Sequence, residues 1–261
     1  MSPDYFMSRY TTDMLYTFEF IFCIFILLLL IGFWKLKGEK KSLYVYIITG
    51  LLHSVIELTA QGSGIRVISE TYLFGKIYVT YPFLPFILGF FEGGFYCLMA
   101  YHFVRIMIHS DRFSLKFFST ISICIFILIS LGAIAMHSRT YIITRRAIFN
   151  IGNLILLSIC IGVSLGYFLL NKNVTSEHRK SFFYYYLGLV LITAIMVIPL
   201  HIAGTRFIEV CVGGTYYYAS IPEQILVMYG YSLVFEAAGY FLPFYIIIYH
   251  FKLIEFKAST K

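Results

Sequence analysis

His53 and Glu57 stand four residues apart inside an otherwise apolar stretch, "LLHSVIELT". On a helix that spacing puts an imidazole and a carboxylate on one face, one turn apart. Such a pair can take a proton from a substrate carbon or return one to it. Two further carboxylates sit in equally apolar surroundings, Glu92 in "FEGGFYCL" and Glu236 in "FEAAGYFL". Tyr96 and Tyr240 follow these glutamates by four residues each, so each phenol shares a helix face with its acid. A charged side chain in hydrocarbon costs at least about 2.5 kcal/mol. Each of these residues therefore marks either a site or a buried polar contact between helices. The catalytic candidates are His53, Glu57 and Glu92. The ligand-binding candidates are Glu236, Tyr96, Tyr240 and His201.

The elements that must position them follow from composition. Of 261 residues, 60% are hydrophobic and only 13% are charged. A soluble domain of this length could not bury so much apolar surface. A membrane-crossing helix needs about 20 apolar residues. Seven stretches qualify: Thr17–Trp34, Leu43–Ile65, Pro82–Ile108, Phe117–Met136, Ala147–Leu170, Phe182–Ala203 and Glu223–Phe251. The expected fold is all-α, a polytopic membrane bundle of about seven transmembrane helices, forming one integral membrane domain over residues 1–261. The first stretch does not read as a cleavable signal peptide, because Asp4, Asp13 and Glu19 replace a basic leader and no small-residue cleavage site follows.

Seven spans divide the twenty lysines and arginines unequally between the two faces. Thirteen, including Lys35, Lys37, Lys40, Lys41, Arg112, Lys257 and Lys261, fall on one face. Seven, including Arg66, Arg139, Arg145, Arg146 and Arg206, fall on the other. The positive-inside rule then places the N-terminus outside and the C-terminus in the cytosol. Arg145 and Arg146 run against that trend. The net charge of +7 is thus a topology signal and calls for no nucleic-acid partner. The bilayer is the expected partner, with an apolar or sterol-like small molecule. The Asn173-Val174-Thr175 triplet falls on the cytosolic side, where it is not glycosylated. Five scattered cysteines form no CxxC pair, which argues against zinc and redox motifs. No nucleotide-binding loop, HExxH, GxSxG or EF-hand pattern occurs, and the last span has no lysine for a retinal Schiff base. No cofactor is called for. His53, Glu57 and Glu92 are metal-ligand types, but their spacing does not demand a metal.

The remaining polar residues have simpler expected places. Glu19, His102 and His250 lie near helix ends, where interfacial exposure is expected. His109, His137 and His178 fall in loops. Arg66 and Arg206 end the outer sides of two spans, within reach of headgroups or of a ligand anion.

The chain also resembles itself. Slid by 140 residues, Tyr44–Arg66 lies on Tyr184–Arg206 without a gap, matching Gly64 to Gly204 and Arg66 to Arg206. Phe91–Leu98 matches Phe235–Leu242 with a shift of four more. This predicts a 3+1+3 parallel repeat, 17–108 and 147–251, with 117–136 as a linker helix.

"LLHSVIELT", followed by the acid of "FEGGFYC", resembles the emopamil-binding protein family of sterol Δ8–Δ7 isomerases and related sterol-binding membrane proteins. The resemblance covers about a third of the chain. It implies that His53, Glu57 and Glu92 surround a flat apolar ligand. "FEAAGYFLPF" is similar to that family's last helix, with Glu236 in place of an asparagine. Seven spans instead of four or five is a departure. On this reading one carboxyl protonates a ring double bond and the His/Glu pair removes a proton from the neighbouring carbon. Two other classes fit the bundle. A proton-coupled or facilitative small-solute transporter would use the buried acids and the kinks at Pro85, Pro199 and Pro243. A seven-span receptor or scaffold would not need them.

Overall fold

The computed structural model describes residues 4–11, 13–67, 71–108, 113–135 and 142–254. Arg112, Arg139, Lys257, Lys261, His109 and His137 lie outside the described residues.

The chain is a multi-pass helical membrane protein. Six helices are long and apolar enough to cross a bilayer. They are α1 (Asp13–Lys37), α2 (Lys40–Gly62), α3 (Phe83–Ile108), α5 (Ile151–Leu170), α6 (Ser176–Ile202) and a last span, α7 (Ile221–His250). Between α3 and α5 lies α4 (Phe113–Ala135), 23 residues long, with an apolar section at Phe118–Leu128.

The helical expectation omitted a sheet. β1 (Asp4–Thr11), β2 (Arg66–Val67), β5 (Ile142–Ala147), β6 (Arg206–Val212) and β7 (Thr215–Tyr218) form one antiparallel sheet in the order β2-β5-β1-β6-β7. A separate hairpin pairs β3 (Thr71–Leu73) with β4 (Ile77–Val79). The strands of the large sheet come from before α1, after α2, before α5 and after α6. All four segments therefore lie at one end of the bundle. Since β5 follows α4 and pairs with β1, α4 must return the chain to that end, and α4 completes the seventh crossing. At about 1.5 Å per residue its 23 residues suffice.

The sheet is a product of loop composition. Its strands are rich in β-branched and aromatic residues, which favour extended backbone, with polar residues set among them. Gly213 and Gly214, at φ +59° and +85°, close a two-residue hairpin between Val212 and Thr215. That backbone is the primed turn matching strand twist, and glycine adopts it without Cβ strain.

At the opposite end lie the α1–α2 turn, the start of α4, the α5–α6 connection and the end of α7. Lys37, Lys40, Lys41, Lys172, Lys180 and Lys252 are there. Arg105 pairs with Glu39 at 2.8 Å, and the Tyr101 hydroxyl donates to the Leu253 carbonyl at 2.9 Å. His102 is fully buried between Ser42 (2.9 Å) and Ser119 (3.1 Å), so it does not snorkel as expected. A buried imidazole needs partners for both nitrogens, and the two serines supply them. His250 contacts the Tyr167 hydroxyl at 2.9 Å.

Within the bundle, packing replaces the hydrophobic drive that lipid removes. Phe91, Phe95 and Phe126 stack at the α1–α3–α4 junction, and Phe22 meets them edge-on. The α2–α3 seam is closer still. A Cβ added at Gly93 would lie 2.2 Å from the His53 Cβ, and one at Gly89 would lie 2.7 Å from the Ser54 Cα. These glycines bring the His53/Glu57 face of α2 against the Glu92 helix.

Candidate functional site

Strand register decides which side chains the sheet sends into the bundle. Arg9 of β1 stands opposite Arg206 of β6, and Arg66 of β2 opposite Arg146 of β5. Met7, opposite Arg146, is two residues from Arg9 and so on the same face. Four guanidiniums and one thioether thus cover the sheet's inner face. Ser8, Arg145 and Glu209 occupy the other face, where Arg145 meets Glu209 at 2.7 Å and Ser8 donates to Glu209 at 2.5 Å.

Beneath the arginines the helices present acids. Arg9 pairs with Glu19 of α1 at 2.7 Å. Arg66 reaches Glu57 of α2 at 2.5 Å and Glu92 of α3 at 3.5 Å. Arg146 pairs with Glu236 of α7 at 3.0 Å, and the Asn153 amide also donates to Glu236 at 3.3 Å. Arg206 is different. Among the described residues no carboxylate lies within ion-pair distance of it. Its terminal nitrogen approaches the Met7 sulfur at 2.7 Å, and its Nε is buried without a hydrogen-bond partner.

The electrostatics divide the same way. Burial opposes the Arg66 charge, but the Glu57 and Glu92 carboxylates outweigh it and raise its pKa. For Arg206, burial and then the neighbouring Arg146 guanidinium lower the pKa to about 10. Of the four inner-face arginines, Arg206 is the one without a carboxylate at ion-pair distance among the described residues.

The predicted residues largely converge. His53 Nε2 lies 3.6 Å from Glu57 and 4.0 Å from Glu92. All three line a cavity of about 310 Å³ between sheet and helices. Tyr96 and Tyr240 share its wall, with Phe241, Ile56, Leu156 and Val197 as apolar surface. Tyr240 also donates to the Asn153 side chain. Glu236 is 1% exposed and stands behind Arg146, outside the wall.

His201 is not in the wall. Its Nδ1 contacts the Arg206 carbonyl at 3.0 Å and its ring meets Tyr229 edge-on, tying the α6 end to β6. Its place near the Arg206 backbone follows from the helix-ending turn between them. Glu19 is 5% exposed, not interfacial, because Arg9 folds back over it. Arg66 and Arg206 line the cavity instead of reaching outward to headgroups.

Arg9, Arg146, Met7 and Asn153 were missed. The sequence carries little signal for them, because which residues share a face depends on strand register. His53, Glu57 and Glu92 offer ligand atoms within 4.8 Å of one another, the span of a metal site. Arg66 already pairs with both carboxylates, and a cation there would face that guanidinium. The donor set fits an ion-pair cluster better than a metal.

Val55 and Leu156 line the cavity yet are 59% and 38% exposed. They belong to α2 and α5, so the cavity opens sideways between those helices.

Comparison with protein-family models, curated proteins and solved structures finds no match to this chain.

Proposed function

We propose that this multi-pass protein binds a small molecule with an apolar body in the cavity beneath the sheet. The observation that carries the reading is the wall itself. Aromatic and aliphatic side chains line it together with five arginines, two glutamates and His53, all held by packed helices and a sheet. Apolar surface joined to convergent polar groups is the make-up of a ligand site, and the volume falls in the range for small ligands. The lateral mouth suits a molecule arriving from the membrane. A sterol-sized or smaller ligand is in keeping with the family resemblance.

The test uses purified protein in nanodiscs and a panel of neutral sterols, medium-chain alcohols and carboxylates. A ligand bound in the cavity raises the Tm of the native protein. Ala60→Trp, which fills the cavity from α2, abolishes that rise. Equal stabilisation of both proteins, or of neither, would overturn the reading.

One geometric feature favours a second reading, proton chemistry on the bound ligand. His53 stands within 4.0 Å of two carboxylates facing the cavity. An isomerase of the kind set out above would need Glu92, the carboxyl that Arg66 holds less closely, protonated to act as acid, with the His53/Glu57 pair as base.

A further inference from the structure

We infer that the ligand carries an anionic head and that Arg206 is the residue that receives it. This rests on the cavity being a ligand site and adds the ligand's chemical class.

The inference starts from an imbalance. Arg9, Arg66 and Arg146 each have a carboxylate within 3.0 Å. Arg206 has none, and it faces Arg9 directly across the β1–β6 ladder. Like charges opposed in a ladder destabilise it. The burden is greater where water is scarce, because a half-buried guanidinium loses hydration without gaining a partner. Its terminal nitrogen meets a thioether sulfur, a weak acceptor. The buried, unpartnered Nε is a further donor without an acceptor. Arg206 lines the same cavity as Tyr96 and the apolar wall.

An anion seated on Arg206 supplies what the protein withholds. A carboxylate accepts two parallel guanidinium hydrogen bonds, and a phosphate monoester does the same. An apolar body attached to that head then lies along Phe241, Ile56 and Leu156 toward the mouth between α2 and α5. The chemical class is therefore an amphiphile with an anionic head. A free carboxylate and an anionic lipid headgroup share that chemistry.

The experiment compares decanoate with decanol, equal in chain length and different in charge. Binding to native protein in phosphatidylcholine nanodiscs is counted as the portion lost in Ala60→Trp. Decanoate should bind at least about tenfold tighter than decanol, the advantage expected of a charge-assisted pair. Arg206→Met should erase that preference while leaving decanol binding, and Arg206→Lys should keep part of it. Ligand-free Arg206→Met should melt no lower than the native protein, because it removes an uncompensated charge. Equal affinity for the two probes, or a preference that survives Arg206→Met, overturns the anion inference and leaves the cavity reading standing. A fall in Tm with loss of both probes makes Arg206 structural and also overturns it. If neither probe binds natively, the anion inference falls; the sterol arm of the panel above then decides the cavity reading separately. Nanodiscs containing phosphatidate identify the source. Displacement of decanoate assigns the head to a membrane lipid, and no displacement assigns it to a free amphiphile.

Discussion

Arg9 faces Arg206 across the β1–β6 ladder as Arg146 faces Arg66 across the β5–β2 ladder. The sheet order β2-β5-β1-β6 reads the same from either end when β1 is exchanged with β5 and β2 with β6. The helix-ending turns before β2 and β6 also agree. Gly64 and Gly204 adopt φ +73° and +69°, and Ile65 and Thr205 donate to carbonyls five residues earlier. Such turns terminate helices with a left-handed glycine and aim the next residues out of the helix axis. Both arginines are thereby delivered to the sheet in the same way. The acids do not follow the pattern, since Glu92 meets Arg66 whereas Glu236 meets Arg146.

The ion pairs give the first prediction. Arg146→Met leaves Glu236, 1% exposed, without its cation. Orphaning a buried charge of this kind destabilises by about 3–5 kcal/mol. Arg146→Met with Glu236→Leu should recover most of the loss, because the pair is then replaced by apolar contact. A double-mutant cycle on thermal or denaturant unfolding measures the coupling. An additive result would mean that the pair contributes nothing to folding.

The α2–α3 seam gives the second. Gly93→Ala introduces a Cβ 2.2 Å from the His53 Cβ and 2.8 Å from the Thr49 carbonyl. The helices must separate, at about 1–3 kcal/mol. His53 moves with α2, so ligand affinity should fall alongside Tm. Gly32→Ala on α1, where nothing lies within 4 Å of the added methyl, should be neutral or slightly stabilising. Equal Tm values for the two variants would show that close approach at Gly93 is not needed.

The third separates chemistry from architecture at Glu92. Glu92→Gln keeps the shape and can still accept from Arg66, while Glu92→Ala removes both. If Glu92 exchanges a proton with the ligand, turnover of a double-bond substrate should drop by about 100-fold or more in both variants. Folding should be affected mainly in Glu92→Ala. If Glu92 only anchors Arg66, Gln should retain function and Ala should lose stability. A stable Glu92→Gln protein with native turnover would remove the isomerase reading and leave ligand binding intact.

The sequence made the bundle legible because lipid leaves one solution to the backbone's hydrogen bonds, and long apolar runs mark it. It made His53, Glu57 and Glu92 legible because ionisable residues stand out against hydrocarbon. The sheet was hidden for the opposite reason. Its strands are short, half polar and drawn from segments separated by whole spans, so the β-branched and aromatic residues around Arg9, Arg146 and Arg206 were masked by the stronger hydropathy signal. Without register, Arg66 and Arg206 read as independent helix ends, and the pairing of Arg146 with Glu236 had no trace in spacing. His201 misled because a histidine near a helix end looks available for a ligand. Its contact with the Arg206 carbonyl depends on a turn that spacing alone does not define.

The last prediction concerns orientation. Strands from four separate segments lie in one sheet, so an odd number of crossings separates the sheet from the end of α7. Among the described residues every lysine except Lys76 lies at the end opposite the sheet, where α1 turns into α2 and α5 into α6. By the positive-inside rule that end belongs in the cytosol and the sheet outside. In a background lacking the five native cysteines, Tyr217→Cys, exposed on β7, should react with an impermeant maleimide on intact cells. Lys40→Cys should react only after permeabilisation. Tyr10→Cys with Ile143→Cys, partners in the β1–β5 ladder, should cross-link under mild oxidation. Reversed labelling would invert the orientation and keep the fold. Labelling of Tyr217→Cys and Lys40→Cys from the same side would contradict it, because no odd-numbered bundle can place both ends together. Labelling on opposite sides without the cross-link would isolate the fault to α4, the one helix whose crossing is inferred from the β5 pairing.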